Sequence, residues 1–203
     1  MINNMPDYIK MGWVLMVTGA VATALLAGTD QLTSTRIAEA KRQETLSMLA
    51  QVLPPGFDNE PDRDTVTLSD PRLNRKNTPV VFYRAARGDD YLGAAFVVTA
   101  PDGYSGEISI MIAVRTDGRL QSVQVVTHKE TPGLGDKISD PAWLGRFAGQ
   151  SLTSSRWAVK KDGGDFDQFA GATISPRAVV NAVKRGLGFF VENQQQVLAR
   201  RGS

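Results

Sequence analysis

Residues 167–173 read DQFAGAT, and Ser175 and Pro176 follow at once with a long apolar-periodic stretch behind them. Ser175 is a good helix N-cap residue, and Pro176 suits a first helical turn, where a missing N–H costs nothing. This spacing predicts that Thr173 sits just before a helix N-terminus, on a Gly171-Ala172 approach with little side-chain bulk. The unpaired N–H groups of a first turn and the positive end of the helix dipole favour an anion there, phosphate above all. A hydroxyl at such a place could carry a phosphate permanently, not merely bind one.

A second segment with unusual backbone freedom lies at residues 128–135, HKETPGLG, directly after a predicted strand. Pro132 fixes φ, while Gly133 and Gly135 allow conformations and close approaches closed to other residues. A flat ring can rest against backbone there, with Leu134 as an apolar contact. Taken alone, Gly133 and Gly135 make a plain turn. His128 at the end of a strand more often caps or bonds locally than acts as a base. Lys137 and Lys184 are possible phosphate neighbours, but solvated surface lysines are the default reading.

Composition removes several classes of chemistry. The chain has 203 residues and no cysteine, which excludes disulfides, cysteine-held iron–sulfur clusters and thiol catalysis. Its single histidine, His128, rules out a histidine-based metal cluster. The net charge of +2 comes without a long basic run or a basic-aromatic pattern, so nucleic acid is not an expected partner. Neither GxGxxG nor GxxxxGK[ST] occurs, so neither dinucleotide nor ATP binding is indicated.

The elements that must position these loops begin with a membrane segment. Residues 11–29 carry no charge and nearly match the ~20 residues that cross a bilayer. Tyr8 and Trp13 suit an interfacial belt, Lys10 and Asp30 bracket the span, and Gly12, Gly19, Ala20, Ala22, Ala24 and Gly28 would allow close helix packing. A retained anchor is preferred over a cleaved signal peptide, because Leu25 is a poor −3 residue for cleavage after Ala27, and no cysteine is present for lipoprotein processing. Counting Lys10 against Arg36, Lys41 and Arg42 would put the C-terminal side inside, although large domains cross largely regardless of charge.

Residues 33–53 read as a stalk helix with a stripe of Ile37, Ala40, Leu46, Leu49, Val52 and Leu53, stopped by Pro54-Pro55. Residues 56–78 are polar and read as a surface segment. Strands are expected at 79–86, 91–100, 107–114 and 120–127, joined in pairs by hairpin turns at Gly88 and at Asp117-Gly118. Ile108, Ile110 and Ile112 give one strand a clear apolar face; Ser109, Met111 and Ala113 make the other mixed. Ser139 is expected to cap a short helix through Pro141, Trp143, Leu144 and Phe147, and 157–160 to add a strand. A last helix from about Pro176 toward Arg200 has the stripe Val179, Val183, Leu187, Phe190, Val191, Gln194, Val197 and Leu198. The fold class is α+β: an antiparallel sheet with packed helices, preceded by a single N-terminal transmembrane helix.

The DQFAGAT run resembles the motif D-x-x-[ST]-G-A-[TS], on which a flavin transferase joins FMN through a phosphoester to the terminal Thr or Ser. With HKETPGLG and the N-terminal span, the resemblance extends over nearly the whole chain. It is to the G subunits of Rnf-type electron-transport complexes, within the FMN-binding domain family, and more distantly to the C subunits of sodium-translocating NADH:quinone reductases. Ala170 departs from the pattern, so either that hydroxyl is dispensable or transfer is less efficient.

The resemblance implies covalent FMN at Thr173, lined by Glu130, Thr131, Gly133, Leu134, Gly135, Gly171, Ala172 and Ile174, and with more reserve His128. Asp167, Gly171 and Ala172 would be read by the transferase. A flavin also suits a chain from which sulfur- and histidine-based metal centres are excluded. The implied layout is an anchor at 1–30, a stalk and connector at 31–78, and an FMN-binding domain at 79–203. The implied role is a redox subunit, not catalytic alone, relaying electrons in a complex that couples ferredoxin and NAD chemistry to ion movement. Its partners would be the other membrane and redox subunits, the transferase during maturation, and the lipid bilayer. The domain would lie on the periplasmic side of the inner membrane. The alternatives are the C-type component of the quinone reductase and an anchored assembly module that is never flavinylated.

Overall fold

The computed structural model describes residues 6–199, with side chains placed except at 7, 26–38 and 41. The expectations for Gly28, Asp30, Arg36, Ile37, Lys41 and Arg200 therefore lie outside the described residues. The chain divides into two compact units, 1–45 and 46–203.

Helix α1, Asp7–Val52, is 46 residues long and includes both the expected span and the expected stalk. Within it Tyr8–Leu25, 18 residues, is long and apolar enough to cross a membrane, and none of it is buried against protein. Its threonines are compatible with an apolar solvent because Thr18 and Thr23 donate to the carbonyls of Val14 and Gly19, both at 2.8 Å. Pro54 and Pro55 end the helix, since neither can donate the next backbone bond.

The second unit is built on a five-stranded antiparallel sheet in the order β1-β2-β3-β4-β5. The strands are β1 Thr65–Leu68, β2 Val80–Arg87, β3 Asp90–Ala100, β4 Ile108–Arg115 and β5 Leu120–Thr127. The α+β expectation holds, with β1 a strand the sequence did not suggest. Residues 56–78 lie largely at the surface, as expected, but are not all irregular: β1 pairs Thr65–Leu68 with β2, and Leu73 is fully buried. This strand escaped notice because four residues of TVTL on a sheet edge give no period to read. The Asn59 side chain bridges to β2 through Arg84 O at 2.9 Å and Ala86 N at 2.9 Å. Arg84 itself is wholly buried, paired with Asp64 and donating to the Ala199 carbonyl at 2.6 Å.

Alternation gives the sheet two covered faces. Phe82, Phe96, Val98, Ile108, Ile110, Ile112 and Val114 form one core with helix α3, Ile174–Glu192. The approach is close: a Cβ on Gly186 of α3 would stand 2.5 Å from a Val98 methyl. On the opposite face Leu49, Val52 and Leu53 from the end of α1 cover Ala85, Ala95, Met111 and Ala113. The mixed face of β4 is thus a second interior.

Three other expectations are corrected. Ser139 ends a 3-10 turn, Gly135–Ser139, and the cap of the short helix α2, Pro141–Leu144, is Asp140, whose carboxylate accepts from Ala142 N at 2.9 Å. Residues 157–160 make no strand, only a bridge between Val159 and Phe166. The last helix breaks at Asn193, whose Nδ2 donates to the Phe189 carbonyl at 2.8 Å. Helix α4, Gln194–Val197, follows, and Val191 is exposed, off the stripe.

Candidate functional site

The DQFAGAT loop lies on a bed of aromatic rings. Phe166 stacks on Phe147 at 4.5 Å between centroids and lies 5.2 Å from Trp157, while Phe169 meets Trp143 at 5.4 Å. The Trp143 indole N–H donates to the Asp167 carbonyl at 2.8 Å. Two aromatic anchors three residues apart thereby fix the backbone between them. The chain then reverses at Phe169–Ala172, where Ala172 N donates to Phe169 O at 3.1 Å and Gly171 has φ 76°. A positive φ at the third residue is what a type II turn requires, and glycine adopts it without strain. Ala170 is exposed at the second position, so the turn needs no hydroxyl there.

The turn delivers Thr173 to the N-terminus of α3. The helix begins at Ile174, earlier than the Ser175 cap expected, and Thr173 holds the cap position without a side-chain capping bond. Its hydroxyl is thus left unused beside the unpaired N–H groups of a first turn, at the end of a 19-residue helix dipole. Ser175 is not a cap because its hydroxyl is drawn inward, donating to Glu130 Oε2 at 2.6 Å.

Glu130 is the junction of the site. It is 5% exposed, and its other oxygen accepts from Ser105 N at 3.1 Å. One carboxylate therefore ties the β3–β4 loop, the HKETPGLG loop and the first turn of α3 together. Gly135 is required by this junction, since a Cβ there would lie 2.6 Å from Glu130 Oε2 and 2.8 Å from Ser175 Oγ.

Between these segments opens a cleft of about 330 Å³, lined by Tyr104, Glu130, Thr131, Leu134, Gly135 and residues 171–175. That size is at the lower end of the ~300–1,000 Å³ usual for small-molecule sites. Two loops separated by about forty residues thus converge, and Glu130, Thr131, Leu134, Gly135, Gly171, Ala172, Thr173 and Ile174 stand together. Gly133 does not join them: it has φ 76° and would carry a Cβ into open space, as a turn glycine does. His128 lines a separate, more polar hollow with Ser105, Glu107 and Lys129, and its Nδ1 accepts from Glu130 N at 3.2 Å. Lys137 and Lys184 line neither.

Ion pairs surround the loop outside the cleft lining. Asp167 pairs with Lys160 at 2.5 Å, and Arg177 of α3 pairs with Asp162 at 2.6 Å. The Arg177 guanidinium, bonded to the Asp162 carboxylate, holds that acid below its ordinary 3.8. Asp165 is lowered too, first by the Arg156 backbone N–H and then by its guanidinium. These pairs contribute above the ordinary carboxylate range and are lost as pH falls through the lowered values. Exposed as they are, each is a weak staple.

Sequence reasoning missed Tyr104 and the inward role of Ser175. The signal for the first was present: a lone aromatic in DGYSG, a turn with nothing nearby to bury it.

Both loops fall within a recognised domain. The FMN-binding domain profile matches residues 103–188 and the RnfG N-terminal region matches residues 1–52. The G subunit of the ion-translocating oxidoreductase complex of Pseudomonas aeruginosa strain UCBPP-PA14 is 45% identical over 197 residues, covering 94% of this chain and 92% of that protein. Its counterpart from Aliivibrio fischeri strain MJ11 is 42% identical, covering 93% of each chain. The crystal structure of NqrC from Shewanella oneidensis shares the fold, with a TM-score of 0.52 at 22% identity over 73% of this chain and 72% of that one. The chain belongs to the family of G subunits of ion-translocating oxidoreductase complexes.

Proposed function

We propose that this chain is a membrane-anchored electron-transfer subunit that carries FMN, joined through its phosphate to Thr173, within a complex coupling redox chemistry to ion translocation. The observation that carries the reading is Thr173 itself: an uncapped N-terminal residue of α3, on the wall of the cleft where both candidate loops meet. The residues fit the group. The first-turn N–H groups of α3 suit a phosphate, and Leu134 and Ile174, both exposed, offer apolar surface to a flat ring. When bound, a flavin supplies one-electron chemistry; the chain's residues hold, orient and partly desolvate it.

Forming the ester replaces the Thr173 hydroxyl proton with the flavin's phosphoryl group. The phosphorus must arrive bearing a leaving group, so the donor is an activated flavin phosphate and a transferase is the expected partner. A covalent tether keeps the cofactor at fixed stoichiometry and high local concentration wherever free FMN is scarce. The remaining components of the complex and the lipid bilayer are the standing partners. In this reading the domain lies on the periplasmic side of the inner membrane, and electrons pass between ferredoxin and NAD through the assembly.

The test is flavin fluorescence of the chain after denaturing electrophoresis, purified from a host with its own flavin transferase. A fluorescent band at the chain's mass is expected. A dark band from such a host would leave an unmodified assembly module as the reading.

Asp167 gives a second test. Its carboxylate is partly exposed and paired with Lys160, so Asp167→Ala should move stability by no more than about 0.5 kcal/mol. Flavin incorporation, followed by in-gel fluorescence through expression, should nevertheless slow or fail, because the transferase loses an anionic contact. Normal incorporation would reduce Asp167 to the partner of Lys160.

A further inference from the structure

Tyr104 is the feature of the cleft that nothing above employs. It lies in the loop between β3 and β4 and is 70% exposed, the most exposed large apolar side chain described in the sheet unit. Exposed aromatics are ordinary where a loop is free to move. This loop is not free. Ser105 N is fastened to Glu130 Oε1 at 3.1 Å, and a Cβ on Gly103 would stand 2.3 Å from Gly106 O and 2.8 Å from the same carboxylate oxygen. The junction that orders the cleft floor thereby also holds an aromatic ring at its edge. Across the opening stand Leu134 and Ile174, 46% and 44% exposed. An apolar rim is thus shared among three segments, with Thr173 among them.

We propose that Tyr104 is a cofactor-contacting residue that packs its phenol ring against the isoalloxazine attached at Thr173, shields it from solvent and quenches its emission. The inference rests on the FMN reading above. Contact between a tyrosine ring and a flat heteroaromatic ring is favourable in offset or edge geometry and covers apolar surface of both partners. Light makes the contact visible. An excited flavin in van der Waals reach of a phenol takes one electron from it, and the electron returns in the dark, so emission is lost without net oxidation of either group. The contact also separates two roles in the cleft: α3 holds the phosphate, whereas the β3–β4 loop addresses the ring.

The experiment compares flavinylated full-length chains: wild type, Tyr104→Leu, Tyr104→Phe and Tyr104→Trp. An exposed ring can be changed without threatening the fold, and equal melting temperatures would document this. In the native state Tyr104→Leu and Tyr104→Phe should emit severalfold more strongly than wild type, because neither leucine nor phenylalanine is an adequate electron donor. Tyr104→Trp should remain dark. Iodide should quench the Leu variant more efficiently than the Phe variant, since only phenylalanine preserves the cover. Identical emission and iodide accessibility across all four chains would overturn the contact while leaving the attachment intact. A wild-type chain without covalent flavin would instead remove the reading on which the contact depends.

Discussion

Thr173→Ala is expected to eliminate covalent flavin entirely while leaving the fold in place. The α3 cap position offers one nucleophilic side-chain atom, and alanine removes it. The structural cost is small because Thr173 makes no side-chain capping bond. A capping threonine would cost about 1 kcal/mol on truncation, whereas here no more than about 0.5 kcal/mol is expected. Thr173→Ser keeps the hydroxyl and should keep the flavin. The measurement is acid-stable flavin absorbance per chain, beside the melting temperature of each variant. Flavin persisting in the Ala chain would mean that another residue bears the ester, and the cleft would lose its assigned role.

How much of this was readable beforehand depended on whether a residue's position is settled locally. The four longer strands announced themselves through alternation and through Gly-bearing hairpin turns, and each was found within a residue or two. The type II turn at 169–172 is equally local, because Gly171 in Gly-Ala-Thr can be read for its positive φ. Strand β1 is different. TVTL becomes a strand only because β2 offers an edge and because Asn59 and Asp64 bind Arg84, contacts made between residues distant in sequence.

The same distinction explains the errors at the site. Ser175-Pro176 is a sound capping signal, but a carboxylate 45 residues away claims the serine hydroxyl, and the helix starts earlier. Gly133 and Gly135 look equivalent in a PGLG string. One supplies turn geometry at φ 76°; the other leaves room for a buried carboxylate. Periodicity carries no information about which glycine does which. The place of Tyr104 in the cleft carries no signal in the sequence alone, because it depends on Thr173, about seventy residues away. A family resemblance supplied the long-range pairing of the two loops that residue spacing alone leaves open.

The largest stability effect should come from the junction at Glu130. Its carboxylate is buried and accepts from both Ser105 N and Ser175 Oγ. Glu130→Ala strands these donors and opens space beneath three segments at once. An unpaired buried polar group costs about 1–3 kcal/mol, and since Ser105 can turn toward water, a total near 2–4 kcal/mol is expected. Glu130→Gln should cost less, because its amide can accept from one partner and donate to the other. Gly135→Ala probes the same junction from the opposite side. Its Cβ would press on Glu130 Oε2 at 2.6 Å, an overpacking of about 1–3 kcal/mol. In the Glu130→Ala background the carboxylate is gone, leaving the Ser175 hydroxyl at 2.8 Å, which can rotate away, and the residue-130 Cβ at 3.1 Å, which must give by only a few tenths of an ångström. The second substitution should then cost far less than in the wild type, a coupling readable from denaturant midpoints of the four chains. Simple additivity would show that Gly135 is fixed by something other than this carboxylate, and that the three segments are joined independently.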